Sequence, residues 1–102
     1  MHALVISYHH PTDTAAFDEH YTATHVPLAA RIPGLRGFTT GHCASMDGTR
    51  PAYYMVAELH FDSAADMTAG MSSPESAAAV ADLAHFAGAG TTMWHHPLVD
   101  RI

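Results

Sequence analysis

Ala52-Tyr53-Tyr54-Met55-Val56-Ala57-Glu58-Leu59-His60-Phe61 is the stretch on which the fold of this chain turns. Its residues alternate. Tyr53, Met55, Ala57, Leu59 and Phe61 make a wholly apolar face, and Tyr54, Val56, Glu58 and His60 make a mixed one. Successive side chains on a strand point to opposite faces, so this period of two predicts a half-buried strand. Just upstream, Asp47-Gly48 sits at the centre of a turn over residues 46–51. Before it, residues 35–45 (LRGFTTGHCAS) read as a partner strand, which makes the pair a hairpin.

Working outward, Asp62 or Ser63 caps a helical region that runs to about Ala87. Ser73 as N-cap and Pro74 at the first helical position start its longer half, with Val80, Leu83, Ala84 and Ala87 as the apolar stripe and Phe86 beside it. Residues 91–98 form a last strand. Toward the N-terminus, residues 2–8 (HALVISY) read as the first strand. Thr12, Asp13 and Thr14 all offer helix caps, and a helical pattern follows to about Ile32. Its stripe is Phe17, Tyr21, Thr24 or His25, Leu28 and Ile32. Pro27 has no N–H to continue the ladder, so a kink or two segments is expected there.

The resulting order is β-α-β-β-α-β over a single domain, residues 1–102. This is the α+β, ferredoxin-like arrangement: a four-stranded antiparallel sheet with helices on one face. One face of the sheet is then bare. It is expected to carry Tyr54, Val56, Glu58, His60 and Trp94, an apolar and aromatic surface that water does not favour. Pairing of two copies, sheet against sheet, covers it and predicts a homodimer, with the ligand cavity between the sheets.

Composition narrows the function. The chain has 102 residues, a formal charge of −6 and four scattered arginines with no lysine. Nucleic-acid binding needs clustered cations and is not expected. No apolar run reaches the roughly 18 residues of a membrane helix, and the N-terminus has no basic segment before an apolar one, so a cytoplasmic protein is expected. Cys43 has no partner for an internal disulfide and reads as a small hydrophobe. No glycine-rich dinucleotide fingerprint is present, so no cofactor is expected. Ten histidines suggest metal, but their spacing does not. The pairs His9-His10 and His95-His96 point to opposite faces of a strand, and His20 and His25 stand about 140° apart on an α-helix.

Several stretches together resemble the EthD family of dimeric α+β barrel proteins. These are residues 17–29 (FDEHYTATHVPLA), 32–37 (IPGLRG), Tyr53-Tyr54, 57–63 (AELHFDS), 72–75 (SSPE) and 81–87 (ADLAHFA). They span nearly the whole chain in order. The resemblance implies the dimeric barrel fold derived above. The family is named for a gene cluster degrading ethyl tert-butyl ether, where its member is accessory to a cytochrome P450 system. Relatives in the wider superfamily include isomerases, cyclases, cofactor-free monooxygenases and haem-handling enzymes. Family members often carry Tyr-Tyr where this chain has His20-Tyr21.

His25 is the leading site residue. It lies one turn after Tyr21, beside the Pro27 break, and a histidine next to a phenol can exchange a proton with a ligand. The competing reading is a structural histidine that donates to carbonyls left free by Pro27. Tyr54, Glu58, His60, Trp94 and Phe38 are the expected substrate-binding residues. Thr40 and His42, which alternate with Phe38, are candidates for the cavity wall. The expected function is binding of a small apolar or aromatic metabolite in a catabolic or secondary-metabolite pathway. The chemistry is cofactor-independent acid–base work of isomerase, cyclase or decarboxylase type, with His25 as acid/base and Tyr21 orienting it or the ligand. A non-catalytic accessory protein of an oxygenase system, and a haem- or oxygen-dependent monooxygenase, are the alternatives.

Overall fold

The strand that dominates the sequence, β3 (Met55–Phe61), lies inside a four-stranded sheet of order β2-β3-β1-β4, in a computed structural model that describes all 102 residues. β1 is His2–Tyr8, β2 Gly37–His42 and β4 Thr91–Pro97, and every neighbouring pair is antiparallel. The helical elements are α1 (Thr14–His20), a π turn (Tyr21–His25), α2 (Val26–Ala29), α3 (Ala64–Met71) and α4 (Pro74–Phe86). This is the βαββαβ ferredoxin-like fold. No helix is long and apolar enough to cross a membrane.

The apolar face of β3 is the floor of the core. Met55, Ala57, Leu59 and Phe61 are all buried, and the register sets them opposite Tyr8, Ile6, Leu4 and His2 of β1. Burial of the three large side chains, Met55, Leu59 and Phe61, stabilises by about 1.5–3 kcal/mol each. Asp13, Ser63 and Ser73 cap α1, α3 and α4 through their side-chain oxygens. α3 comes close enough to the chain before β2 that a methyl group at Gly70 would stand 2.5 Å from the Pro33 carbonyl oxygen. Glycine alone permits that approach.

Three expectations need correction. The first concerns Tyr54. Its N–H donates to the Tyr8 carbonyl at 2.8 Å, yet Tyr8 is paired in register with Met55. Two residues thus oppose one, as in a β-bulge, and the alternation slips by one. Tyr54 turns to the helix side, where its ring meets Phe17 and its hydroxyl donates to Asp18. Tyr53 takes the other side, near Trp94. The second is the stripe of α4, which buries Ser76, Ala79 and Asp82 while Val80 stays half exposed. The third is the first helical stripe, which runs Phe17, Tyr21, His25, Ala29, Ile32, with Leu28 only partly buried.

On the far face of the sheet, Ala3, Val5 and Ser7 of β1 stand opposite His60, Glu58 and Val56 of β3, and Trp94 of β4 stands opposite Val5. No helix covers this side. Most of the exposed large apolar side chains lie along β4 and the tail: Trp94 on this face, Met93 on the helix side, then Leu98, Val99 and Ile102, with Met1 beside them; Met46 and Val80 are exposed elsewhere.

Candidate active site

The π turn builds the site. Val26 N–H reaches back to the Tyr21 carbonyl, an i to i+5 bond, so the helix takes up one extra residue just before Pro27. Such turns concentrate at functional positions. Here the turn changes which side chains share a face. Five residues rotate an α-helix by about 140° past full turns, but across the π turn His20 and His25 converge on one carboxylate. His25 Nδ1 donates to Asp82 Oδ2 at 3.0 Å, and His20 Nε2 donates to Asp82 Oδ1 at 2.9 Å. His25 therefore bonds a carboxylate, not the carbonyls near Pro27.

Asp82 is buried. Burial alone raises a carboxyl's pKa, but the hydrogen bonds and charges of His20 and His25 outweigh it and hold Asp82 below its ordinary value. The ionised carboxylate accepts from Nδ1–H of His25, so the lone pair of the neutral ring lies on Nε2. That nitrogen makes no hydrogen bond within the chain and is not sealed off. Burial pushes the His25 pKa down more than Asp82 lifts it, with His20 adding to the decrease.

His25 lines a cavity between helices and sheet of about 50 Å³, in which twelve of fourteen lining residues are hydrophobic. Tyr8 and Tyr21 supply the hydroxyls beside it. Tyr8 Oη is buried without a hydrogen-bond partner. Burial, with a further push from Tyr21, raises the Tyr8 phenol well above its ordinary value, and burial pushes Tyr21 up to about 12. Both phenols therefore stay protonated at neutral pH and can donate. Phe38, Leu59 and Ile6 form the floor, and Ser76 and Met71 part of the wall. Val80 and Met93, 52% and 44% exposed, mark the mouth.

The expected site residues thus separate into two groups. His25, Tyr21 and Phe38 meet in the cavity. Glu58, His60 and Trp94 lie on the opposite face of the sheet, where His60 Nε2 approaches Glu58 Oε1 at 3.3 Å. The cavity is therefore inside one chain, not between two sheets. Tyr54 belongs to neither group and joins His42 on Asp18; Thr40, like His42, is exposed at the end of the helix-facing side of β2. Cys43 is half-buried. No three His, Cys, Asp or Glu side chains converge as a metal-holding group. Asp82, His20 and Tyr8 were missed as site residues. Asp82 had a signal: it lies three residues after Ala79 and four before Phe86, an acid on the buried side of an alanine-rich helix.

The charge state of this cluster makes stability pH-dependent. A folded chain whose His25 resists protonation loses stability as pH falls below the ordinary histidine value near 6.5, because the unfolded chain binds a proton that the folded one refuses. Burial and the neighbouring His95 and His96 shift His2 in the same direction. Asp82 adds a second loss below its ordinary value near 3.8, completed as pH drops through its folded value. The melting temperature is expected to be level above about pH 7 and to fall steadily from pH 6.5 downward. A melting temperature flat to pH 5 refutes the buried neutral His25.

The sheet order and the single layer of helices define a ferredoxin-like α+β protein with a histidine–carboxylate pair inside its sandwich. The chain belongs to the EthD family, whose domain model matches residues 9–90. It is 47% identical, over 91% of its length and 90% of the relative's, to an uncharacterized 11.0 kDa protein from the thcB–thcC intergenic region of Rhodococcus erythropolis. An EthD family protein of Bacillus halodurans superposes with a TM-score of 0.90 at 33% identity, covering 97% of this chain and 99% of the other. A dimeric ferredoxin-like protein of Thermobifida fusca, 18% identical, superposes with a TM-score of 0.73 over 95% of this chain and 90% of its own.

Proposed function

We propose that this protein takes a small, largely apolar metabolite carrying a carbonyl or phenolic oxygen and moves a proton on it without a cofactor. The observation that carries this reading is a hydrophobic cavity in which His25 and the buried, unpartnered Tyr8 hydroxyl stand together, with the Tyr21 phenol beside them. An apolar pocket with a few convergent polar groups is the usual form of a small-molecule site. His25 is the acid/base. Asp82 fixes its tautomer, so that Nε2 takes the proton. The two protonated phenols donate to the ligand oxygen as negative charge develops there. Phe38 is part of the apolar wall. The roughly 50 Å³ space is smaller than the roughly 150 Å³ that holds a benzene ring, so an aromatic ligand enters by displacing Met71 and Met93, which are flexible enough to yield.

The working unit we propose is a homodimer. The uncovered sheet face and the apolar strip along β4 give two copies a surface to share, and Glu58, His60 and Trp94 then belong to the interface.

The test uses a phenol, an aryl ketone and a cyclic enone with the protein in heavy water. Saturable shifts of the His25 and Tyr21 ring resonances, together with protein-dependent deuterium uptake at the carbon next to the carbonyl, are the expected result. Binding without uptake supports an accessory binding protein instead. Absence of both refutes the site.

A further inference from the structure

We infer that His20 is a positioning residue for His25, acting through their shared carboxylate, so that charge taken up by His20 from solvent governs proton uptake by His25 in the cavity. This rests on His25 being the acid–base group proposed above.

The geometry is a bridge with one wet and one dry end. The His20 side chain is 29% exposed and that of His25 6%. His20 lines an open groove of about 540 Å³, together with Asp13, His85 and Phe86, whereas His25 lines the cavity. Its ring lies nearly parallel to that of Phe86, centroids 5.1 Å apart, and the same Phe86 ring packs on His25 at 4.8 Å. Phe86 thereby spaces the two imidazoles, and Asp82 joins them.

Each ring nitrogen that faces the ionised Asp82 carries its hydrogen. His20 therefore accepts a further proton only at Nδ1, which makes no hydrogen bond within the chain. Once charged, His20 shares the single negative charge of Asp82. A second proton on His25 would then place two cations around one carboxylate in a poorly solvated site, where charges interact more strongly than in water. The groups that face the pair are few. α4 presents Asp82 and His85, β1 presents Tyr8, the π turn presents Tyr21, and Asp13 stands at the groove rim. Asp82 alone is bonded to both rings. The depression of the His25 pKa has a contribution from His20, in the same sense.

A purely structural His20 would only satisfy Asp82. His20→Gln separates the two roles, because glutamine keeps an N–H for the carboxylate and cannot take a charge. The measurement is an imidazole titration by NMR on wild type and His20→Gln, with no ligand present. In wild type the His25 curve is expected to show two inflections, one of them coinciding with the titration of His20. In His20→Gln it should collapse to one inflection at a higher midpoint. A single inflection in wild type overturns the inference, and this holds even if the variant does not fold. An unchanged His25 midpoint in a folded variant overturns it too. Coupling without deuterium uptake upholds the inference while counting against the proposed chemistry, and uptake without coupling does the reverse.

Discussion

His25→Ala is expected to reduce turnover by about 10²–10⁴-fold, the usual contribution of a positioned acid–base group, and to melt several degrees below wild type. Both effects follow from where the ring sits. It is buried, packs on Phe86 and Tyr21, and shares Asp82 with His20. Truncation leaves Asp82 with one partner where it had two, inside the fold. Loss of a buried hydrogen-bond partner costs about 1–3 kcal/mol, and each kcal/mol lowers the melting temperature of a domain this size by about 4–8 °C. Loss of activity in the alanine variant therefore does not by itself identify a base. His25→Asn does. Its side-chain amide can donate to Asp82 as Nδ1 does, but it offers nothing in place of Nε2. The asparagine variant is expected to recover most of the melting temperature and none of the turnover. If it turns over its substrate like wild type, measured per folded molecule, His25 is a structural residue and the proposed chemistry is wrong.

Val56→Glu is expected to turn a dimer into a monomer. Val56 lies on the uncovered sheet face, across from Ser7 on one side and Gly41 on the other. In a two-fold interface each substitution is made twice, and each new carboxylate would face its own copy and the existing Glu58. Burying an unpaired charge costs several kcal/mol, and each 1.4 kcal/mol is tenfold in the dissociation constant. The two substitutions together should weaken association by at least about 10³-fold. Light scattering at micromolar concentration is expected to give wild type at twice the chain mass and the variant at one. Far-ultraviolet circular dichroism should be unchanged, since Val56 faces away from the core. Wild type at the mass of one chain would refute the dimer.

Most of the fold was legible because the strands and helices announce themselves by period. Alternation in residues 55–61, cap residues within 12–14 and 62–63 and at Ser73, and the Asp47-Gly48 turn all speak through local chemistry, and they suffice for the order of elements. What was not legible depends on one residue more or less. The bulge at Tyr54 and Met55 leaves no mark in an alternating stretch, since Tyr53 and Tyr54 are the same residue and either parity looks reasonable. That is why Tyr54 was placed with Glu58 and His60. The π turn is similarly silent: Pro27 announces a disturbance but not its form. Reading residues 20–25 as an α-helix put His20 and His25 on different faces and hid the carboxylate they share. A cavity between sheets follows from the bare sheet face, which is the more visible feature of the sequence. Phe38 and Tyr21 reached the true cavity on the strength of alternation and stripe, which are local. Asp82 acquires its role from partners 57 and 62 positions away, a relation no spacing rule encodes.

The π turn also divides two kinds of tolerance that usually travel together. Thr22, Ala23 and Thr24 are exposed, so the identities of these residues carry little weight. Their number carries more weight, in one direction. Removing one of them would let the helix close into ordinary α geometry with His20 and His25 four residues apart and still on one face, so the stripe and the bonds to Asp82 would survive. Adding one has no such relief and would swing His25, Ala29 and Ile32 by about 100° relative to Phe17, taking His25 away from Asp82. This segment can therefore drift in composition and shed a residue but not gain one, and related chains are best aligned by allowing a one-residue gap between the tyrosine and the histidine.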